Sequence, residues 1–342
     1  MGARLFVLWV AAAIACLTAG CTARSAHEVV VYTALDSEFS QPILERYEAQ
    51  SGVPVRPKFD VEANKTLGLT QEIIAEADRP RCDVFWNNEI LNTLRLEKRG
   101  LLQSYQPKMA TIYPQMFRSP KGTWHGFAAR ARVLLVNTKE LGESERPKSI
   151  YDLADETWRG RCGLAKPLFG TTATHVACLF AHLGDEKAQQ FLSDMKANGV
   201  QIFPGNKQVA QAVSSGQIVF GLTDTDDAMG EIEQGHPVEI IYPDQQDDGL
   251  GTLFIPNTLA IVRGSPHFDE ARKLVDYLLT PDIEIELANG PSAQIPLSTK
   301  VDVELRVETP RTVRAMQVDF YEAADKWDAA ARAARDTFAR AD

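Results

Sequence analysis

The run EVVVYTALDSEFSQPILERYEAQSGVPV, residues 28–55, decides the fold. It opens with a continuous apolar, β-branched stretch, the pattern of a strand covered on both faces rather than one. In the segment that follows, Ser40 can cap, Pro42 suits a first helical turn, Ile43, Leu44 and Tyr47 recur at helical spacing, and Gly52 stops the helix. A second strand then starts in VPVRPKFD, residues 53–60. Strand, helix and strand in this order form a βα unit of a parallel sheet.

Working outward, the alternation continues. LGLTQEIIAEADRP (67–80) is a helix, CDVFW (82–86) a buried strand and NEILNTLRLEKRG (88–100) a helix ending at Gly100. A second series begins near Trp124: GFAARARVLLVNT, RCGLAKP, the helices THVACLFAHLG and EKAQQFLSDMKANG, then VQIFP, NKQVAQAVSSG and IVFGLTD. LFIPNTLAIVRG reads as extended chain returning toward the first series, and DEARKLVDYLLTPDIEIELAN as a helical pair interrupted at Pro281. From Thr309 an Ala-rich amphipathic pattern predicts helix through Phe338. The expectation is an α/β protein of two lobes, each a mostly parallel sheet flanked by helices. Lobe 1 covers 28–130 and is completed by about 256–308; lobe 2 covers 131–255 and is completed by C-terminal helices over about 309–342.

The first twenty residues carry Arg4, an apolar run from Leu5 and small residues before Cys21. The run is too short for a stable bilayer span and reads as a secretory signal peptide, residues 1–20. Leu17-Thr18-Ala19-Gly20-Cys21 resembles a bacterial lipobox, which makes Cys21 the lipid attachment point and residues 21–27 a tether; ordinary cleavage nearby, leaving Cys21 a thiol, is the alternative. The chain has 36 basic against 46 acidic residues. No basic stripe is present, which argues against a nucleic-acid partner. Cys162 and Cys178 flank one strand-to-helix connection and could pair in an oxidising compartment; free buried thiols explain them equally well. There is no C-x-x-C or Cys/His zinc spacing.

The most charged strand end is IVFGLTDTDDAMGE, residues 218–231. Asp224, Asp226 and Asp227 crowd where an apolar strand stops. Asp224 or Thr225 as N-cap, with Asp226, Asp227 and Glu231 favoured by the helix dipole, accounts for them. So does a ligand site, because ligands in open α/β sheets sit beyond the carboxyl ends of strands. Gly170, Thr171 and Thr172 precede another helix, where free amides form an anion site or the threonines simply cap. Arg130 and Arg132 alternate on one strand face, aimed into a cleft or paired with surface acids. His175 and His182, seven apart among Val176, Leu179 and Phe180, fit core packing better than a metal site. Phe85 and Trp86 likewise read as core. Asn64-Lys65-Thr66 is a formal sequon with no expected use in a bacterial lipoprotein.

In order and spacing, VVVYTALDSEFSQPILERYEAQSGVPV, DVFWNNEI, ARARVLLVNT, GQIVFGLTD and SAQIPLS resemble the periplasmic substrate-binding proteins of ABC importers, in the ferric-iron-binding class. The likeness covers nearly all of residues 28–342. It implies two lobes joined by crossing hinge strands, a small ligand captured by closure and delivery to an ABC permease in the membrane; together with the lipobox, the expectation is a periplasmic or cell-surface lipoprotein, monomeric. Iron-binding members often place a histidine where this chain has Asp36 and a glutamate where it has Asn88, with Glu89 next. Their anion-holding arginine pair matches Arg130 and Arg132. Their adjacent ligand tyrosines fall on Thr225 and Asp226, a clear departure.

Ferric iron would be cargo here, with no cofactor needed: Asp36 and Asp226 would supply hard oxygen ligands, helped by Glu89 or Tyr32, with a companion anion on the arginines. A zwitterion such as an aminophosphonate would use the same charges differently, with its anionic end on the arginines and its ammonium on the aspartates. That reading predicts loss of binding in Asp226→Asn and Arg130→Ala with little change in the melting temperature of the empty protein. A thiamine-like cation would add an aromatic face from Trp86 or Tyr242. The remaining alternatives are a sensor that binds the same ligand and an exported metal-dependent hydrolase. The hydrolase has no G-x-S-x-G or H-E-x-x-H to stand on, and no Walker motif appears.

Overall fold

The computed structural model describes residues 27–60 and 67–338. The signal segment, Cys21 with its tether, and the Asn64 sequon lie outside the described residues. Strands β1 (Val29–Thr33), β2 (Val55–Phe59) and β3 (Val84–Asn87) alternate with helices α1 (Ser37–Ser51), α2 (Leu67–Ala75) and α3 (Leu91–Lys98). The short β4 (Leu102–Gln103) leads to the long β5 (His125–Asn137). The second half contains β6 (Cys162–Ala165), α4 (Gly170–Leu183), α5 (Asp185–Ala197), β7 (Gln201–Phe203), α6 (Asn206–Ser214), β8 (Phe220–Asp224), α7 (Thr225–Glu233) and β9 (Val238–Ile241). The chain then returns through β10 (Phe254–Val262), α8 (Phe268–Leu278) and α9 (Pro281–Asn289), and ends in α10 (Phe320–Phe338).

The sheet order is β2-β1-β3-β10-β5-β8-β6-β7, with β4 on β10 and β9 on β5. β1 runs parallel to β2 and β3, and β6 parallel to β7 and β8, as βα units require. β5 and β10 run antiparallel to their neighbours, so each lobe is parallel only outside its hinge strands. The N-terminal half of β5 pairs with β10 and its C-terminal half with β8 and β9. One strand therefore belongs to both lobes.

Its turning point is Ala128, which has φ 43° inside the strand, a conformation a non-glycine residue holds only where surroundings fix it. Ala128 N–H donates to Glu284 at 2.7 Å, and Asn257 Nδ2 donates to the Ala128 carbonyl. The β5–β10 register shifts at the same place, between Ile255 and Asn257. Glu284 also accepts the Leu297 and Ser298 amides, so a buried carboxylate on α9 fixes the kink that redirects β5.

α1 starts at Ser37, three residues before the expected cap, with Asp36 at its N-cap position. The Ser40 hydroxyl instead donates to the Leu35 and Asp36 carbonyls. Pro281 opens α9 as its first residue, where the missing N–H costs nothing. The C-terminal pattern needs correcting: residues 309–319 are not α-helical, and α10 begins at Phe320. α10 buries Phe320, Ala323, Trp327, Ala330 and Ala334 and packs on α3 as well as on α4 and α5. Arg95 of α3 stacks on Trp327, and Lys326 pairs with Asp185 of α5 at 2.8 Å. It is thus a strap across both lobes rather than part of the second alone. Cys82, Cys162 and Cys178 are buried and free; the 162–178 bridge does not form. Burial pushes the Cys162 thiol up to about 12, so it carries no thiolate at neutral pH. Among the described residues no helix is long and apolar enough to cross a membrane.

Candidate functional site

A cavity of about 590 Å³ opens between the lobes. It lies beyond the carboxyl ends of β1, β3, β6 and β8, because each βα turn there ends in a helix start. Lobe 1 contributes Asp36, Glu38 and Phe39 after β1 and Asn88 after β3. Lobe 2 contributes Thr171 and Thr172 at the start of α4, Asn206 and Lys207 at the start of α6, and Asp224, Asp226 and Asp227 at the start of α7. Arg130 enters from the hinge strand two residues after the Ala128 kink. Lys207 Nζ stands 3.9 Å from Glu38 Oε1 across the mouth.

Two arginine–aspartate pairs lie here and do different things, one at the floor of the cavity and one behind it. Arg130 Nη1 is 3.1 Å from Asp226 Oδ2, both side chains being nearly buried yet lining the cavity. Burial alone would lower the Arg130 pKa; the carboxylates of Asp226, Asp224, Asp36 and Asp227 more than offset this and hold it charged. Arg130 Nε has no hydrogen-bond partner, and neither does Asn88 Oδ1. A buried donor and a buried acceptor are thus left unmatched in the wall.

Arg132 is fully buried and does not reach the cavity. Its Nη1 donates to Asp224 Oδ1 at 2.7 Å and to Asn206 Oδ1 at 3.1 Å, and its Nη2 donates to Thr172 Oγ1 at 3.1 Å. Thr171 Oγ1 and Asn206 Nδ2 donate to Asp224 Oδ2 at 2.5 and 2.9 Å. This network ties the starts of α4, α6 and α7 to the hinge strand. Gly221 allows α6 to come this close, since a Cβ there would meet Val209 Cγ1 at 2.4 Å.

The capping explanation of the acidic turn holds only in its dipole part. Asp224 occupies the N-cap position of α7 but its side chain makes no cap hydrogen bond; it is turned to Arg132. Thr225 Oγ1 accepts the Ala131 amide at 3.1 Å and faces away from the cavity. Asp226 and Asp227 sit in the first turn, where the dipole favours them. Asp224, Asp226 and Asp227 can each present one oxygen within 4.8 Å of the others.

Of the sequence-predicted residues, Asp36, Asn88, Arg130, Thr171, Thr172, Asp224, Asp226 and Asp227 are brought to one cavity. Glu89, Arg132 and Thr225 are not. Glu89 accepts the Leu91 and Asn92 amides and the Thr174 hydroxyl, which satisfies the first amides of α3 from outside the helix and ties the lobes together. Tyr32 is withdrawn onto Glu76, Trp86 is core beside Phe127, and Tyr242 lines a different cavity. The aromatic residues lining this one are Phe39 and Phe169. Sequence reading missed these two, together with Asn206 and Lys207. Asn206 had a weak signal as a polar helix start; the phenylalanines had none, looking like ordinary core residues.

His175, on the buried face of α4, is no ligand. Burial, with Arg132 adding, depresses its pKa to about 3, and burial depresses that of His125 to about 4. Both stay neutral in the fold while the unfolded chain protonates near 6.5, so stability is complete above that pH and drains as pH falls toward these values. Between pH 7 and pH 5 the two imidazoles are expected to remove roughly 3–4 kcal/mol. Urea denaturation at both values checks it; equal midpoints would mean that both rings accept protons in the native state.

The family model described as bacterial extracellular solute-binding protein matches residues 85–323. The major ferric iron-binding protein of Neisseria meningitidis is 24% identical over 299 residues, covering 85% of this chain and 87% of that one. Iron uptake protein A1 of Synechocystis is 24% identical over 273 residues, 77% of this chain and 74% of its own. Iron-bound HitA from Pseudomonas aeruginosa superposes with a TM-score of 0.82 at 24% identity, over 91% of this chain and 99% of that one. AfuA from Actinobacillus pleuropneumoniae, with fructose-6-phosphate bound, superposes at 0.80 with 20% identity over 92% and 99%.

Proposed function

The chain belongs to the bacterial extracellular solute-binding protein family, and on that premise we propose that it captures a ferric ion with a companion anion for an ABC importer. The observation that carries this reading is the carboxylate wall: Asp226 and Asp227 line a cavity whose opposite lobe offers Asp36, and all are hard oxygen donors. Asp224 supports the wall from behind, its oxygens already engaged by Arg132, Thr171 and Asn206. Arg130 and the starts of α4 and α6, which have no side-chain cap hydrogen bonds, suit the anion. Ligand contacts made by both lobes favour the closed population. Its relatives are binding proteins rather than enzymes, and the same role is proposed here. The lipid on Cys21, the monomeric state and handover to a membrane permease complete the proposal.

A second reading has its own support. The unmatched Asn88 acceptor and Arg130 donor suit one molecule carrying both hydrogen-bond donors and anionic oxygens, as a zwitterion does. Native mass spectrometry of freshly purified protein with parallel metal analysis separates the two. One iron per chain supports the first; a retained organic mass without metal overturns it. An iron-loaded sample is further expected to lack a visible tyrosinate charge-transfer band, because among the described residues no tyrosine lines the cavity. A strong band would place a phenolate on the metal and contradict the carboxylate wall.

A further inference from the structure

We infer that Arg306 is a positioning residue: it pins the acid-bearing helix α7 to α9 of the opposite lobe and so sets the balance between open and closed forms. The inference rests on the reading of α7 as part of the ligand wall. α7 lies between two spaces. Asp226, Asp227, Gly230 and Glu233 face the ligand cavity, while Met229 and Ile232 face a second cavity of about 750 Å³ beneath residues 301–312. Two flanks of this helix therefore border open space, and close packing is what normally fixes a helix to a fraction of an ångström.

Residues 299–315 form a third crossing between the lobes, besides β5 and β10. At one end the Ser298 amide is held by Glu284 of α9; at the other, the Glu308 amide donates to Tyr242 at 2.8 Å and Ala315 bridges Thr252. Arg306 sits midway. Its Nη1 pairs with Glu233, the last residue of α7, and its Nη2 donates to the Gly290 carbonyl and, at 3.3 Å, to that of Ala288 at the end of α9. The guanidinium thus satisfies two carbonyls left open by a helix end, where the dipole also favours a cation. A planar fork can grip both helices at once; an ammonium has one charge centre and no such geometry. When the lobes swing apart, α7 and α9 separate and Arg306 must release one partner.

The side chains of Arg306 and Glu233 are 37% and 39% exposed, so the latch is a modest one that biases an equilibrium and does not lock it. The test uses the full chain with spin labels at Gln50→Cys and Gln211→Cys, both exposed and on opposite lobes, and measures their separation by double electron resonance without added ligand. Arg306→Ala and Glu233→Gln are each expected to shift the distribution to longer distances, the double variant no further than either, and Arg306→Lys to fall between. Titration with ferric citrate is expected to weaken about threefold to fivefold in the same order. A lower melting temperature with unmoved distances would reduce Arg306 to a structural residue and overturn the inference, as would additive shifts in the double variant. If the wild type takes up no iron, the ligand reading fails while the distances still decide the latch.

Discussion

Asp224→Leu is expected to destabilise the protein by about 3–5 kcal/mol, the usual cost of stranding a buried charge. Arg132 is fully enclosed, and Asp224 is its one carboxylate at hydrogen-bond distance among the described residues. Leucine would leave the guanidinium uncompensated and take the acceptor from Thr171 and Asn206 as well. Chemical denaturation of the ligand-free protein reads the effect. Asp224→Asn keeps the shape and one acceptor and should lose less. The double variant Arg132→Met with Asp224→Leu should recover most of the loss, since removing both charges also removes the desolvation penalty. Wild-type stability in Asp224→Leu would show that solvent reaches Arg132.

Asp226→Asn is expected to weaken ferric citrate binding by about 100-fold or more, near 3 kcal/mol, the scale for truncating one member of a desolvated charge pair at a binding surface. Two losses coincide: the wall gives up a hard anionic donor, and Arg130 loses the carboxylate 3.1 Å from its Nη1. The sequence-based expectation that such a variant leaves the empty protein's melting temperature unchanged needs correction, because this pair is nearly buried. Some stability goes with it. Arg130→Met combined with Asp226→Leu should regain that stability while binding stays lost, which separates folding from capture. Isothermal titration with metal analysis follows it. Full iron stoichiometry in Asp226→Asn would remove that residue from the ligand set.

Much of this site was legible because it follows from chain order. In a βα unit the strand's carboxyl end and the next helix start are adjacent, so Thr171 and Asp226 could be placed at one edge of the sheet from local pattern, whereas Asp36 and Asn88 come only through the family likeness. Arg130 and Arg132 show where that reasoning stops. Two residues apart on one strand, they look equivalent; Arg132 stands opposite Asp224 of β8 and is enclosed with Asn206 and Thr172, while Arg130 meets Asp226 in the cavity wall. Glu89 misled for a different reason: it stands next to the position where the family likeness puts a ligand, yet its oxygens are taken by the first amides of α3. Residues 309–319 failed differently. The Ala-rich pattern that follows invites extension back over them, although Pro310 and the β-branched Thr309, Thr312, Val313 and Val318 suit a helix poorly, and the chain there is committed to the crossing between lobes, with Glu308 held on Tyr242 and Ala315 on Thr252.

By itself the sequence determined the alternation of strands and helices, the extended character of β10 and the concentration of acid at the end of β8, since each depends on neighbours within about a dozen residues; where β10 pairs, with β3 and β5, is a long-range matter. Tertiary structure alone decided that Asp224 turns to the buried Arg132 while Asp226 meets Arg130 in the cavity wall, that α10 and residues 299–315 span both lobes, and that Arg306 grips two helices. Those outcomes rest on contacts between residues tens to hundreds of positions apart, and the pairing of buried charges is settled only when the walls that exclude water have closed around them.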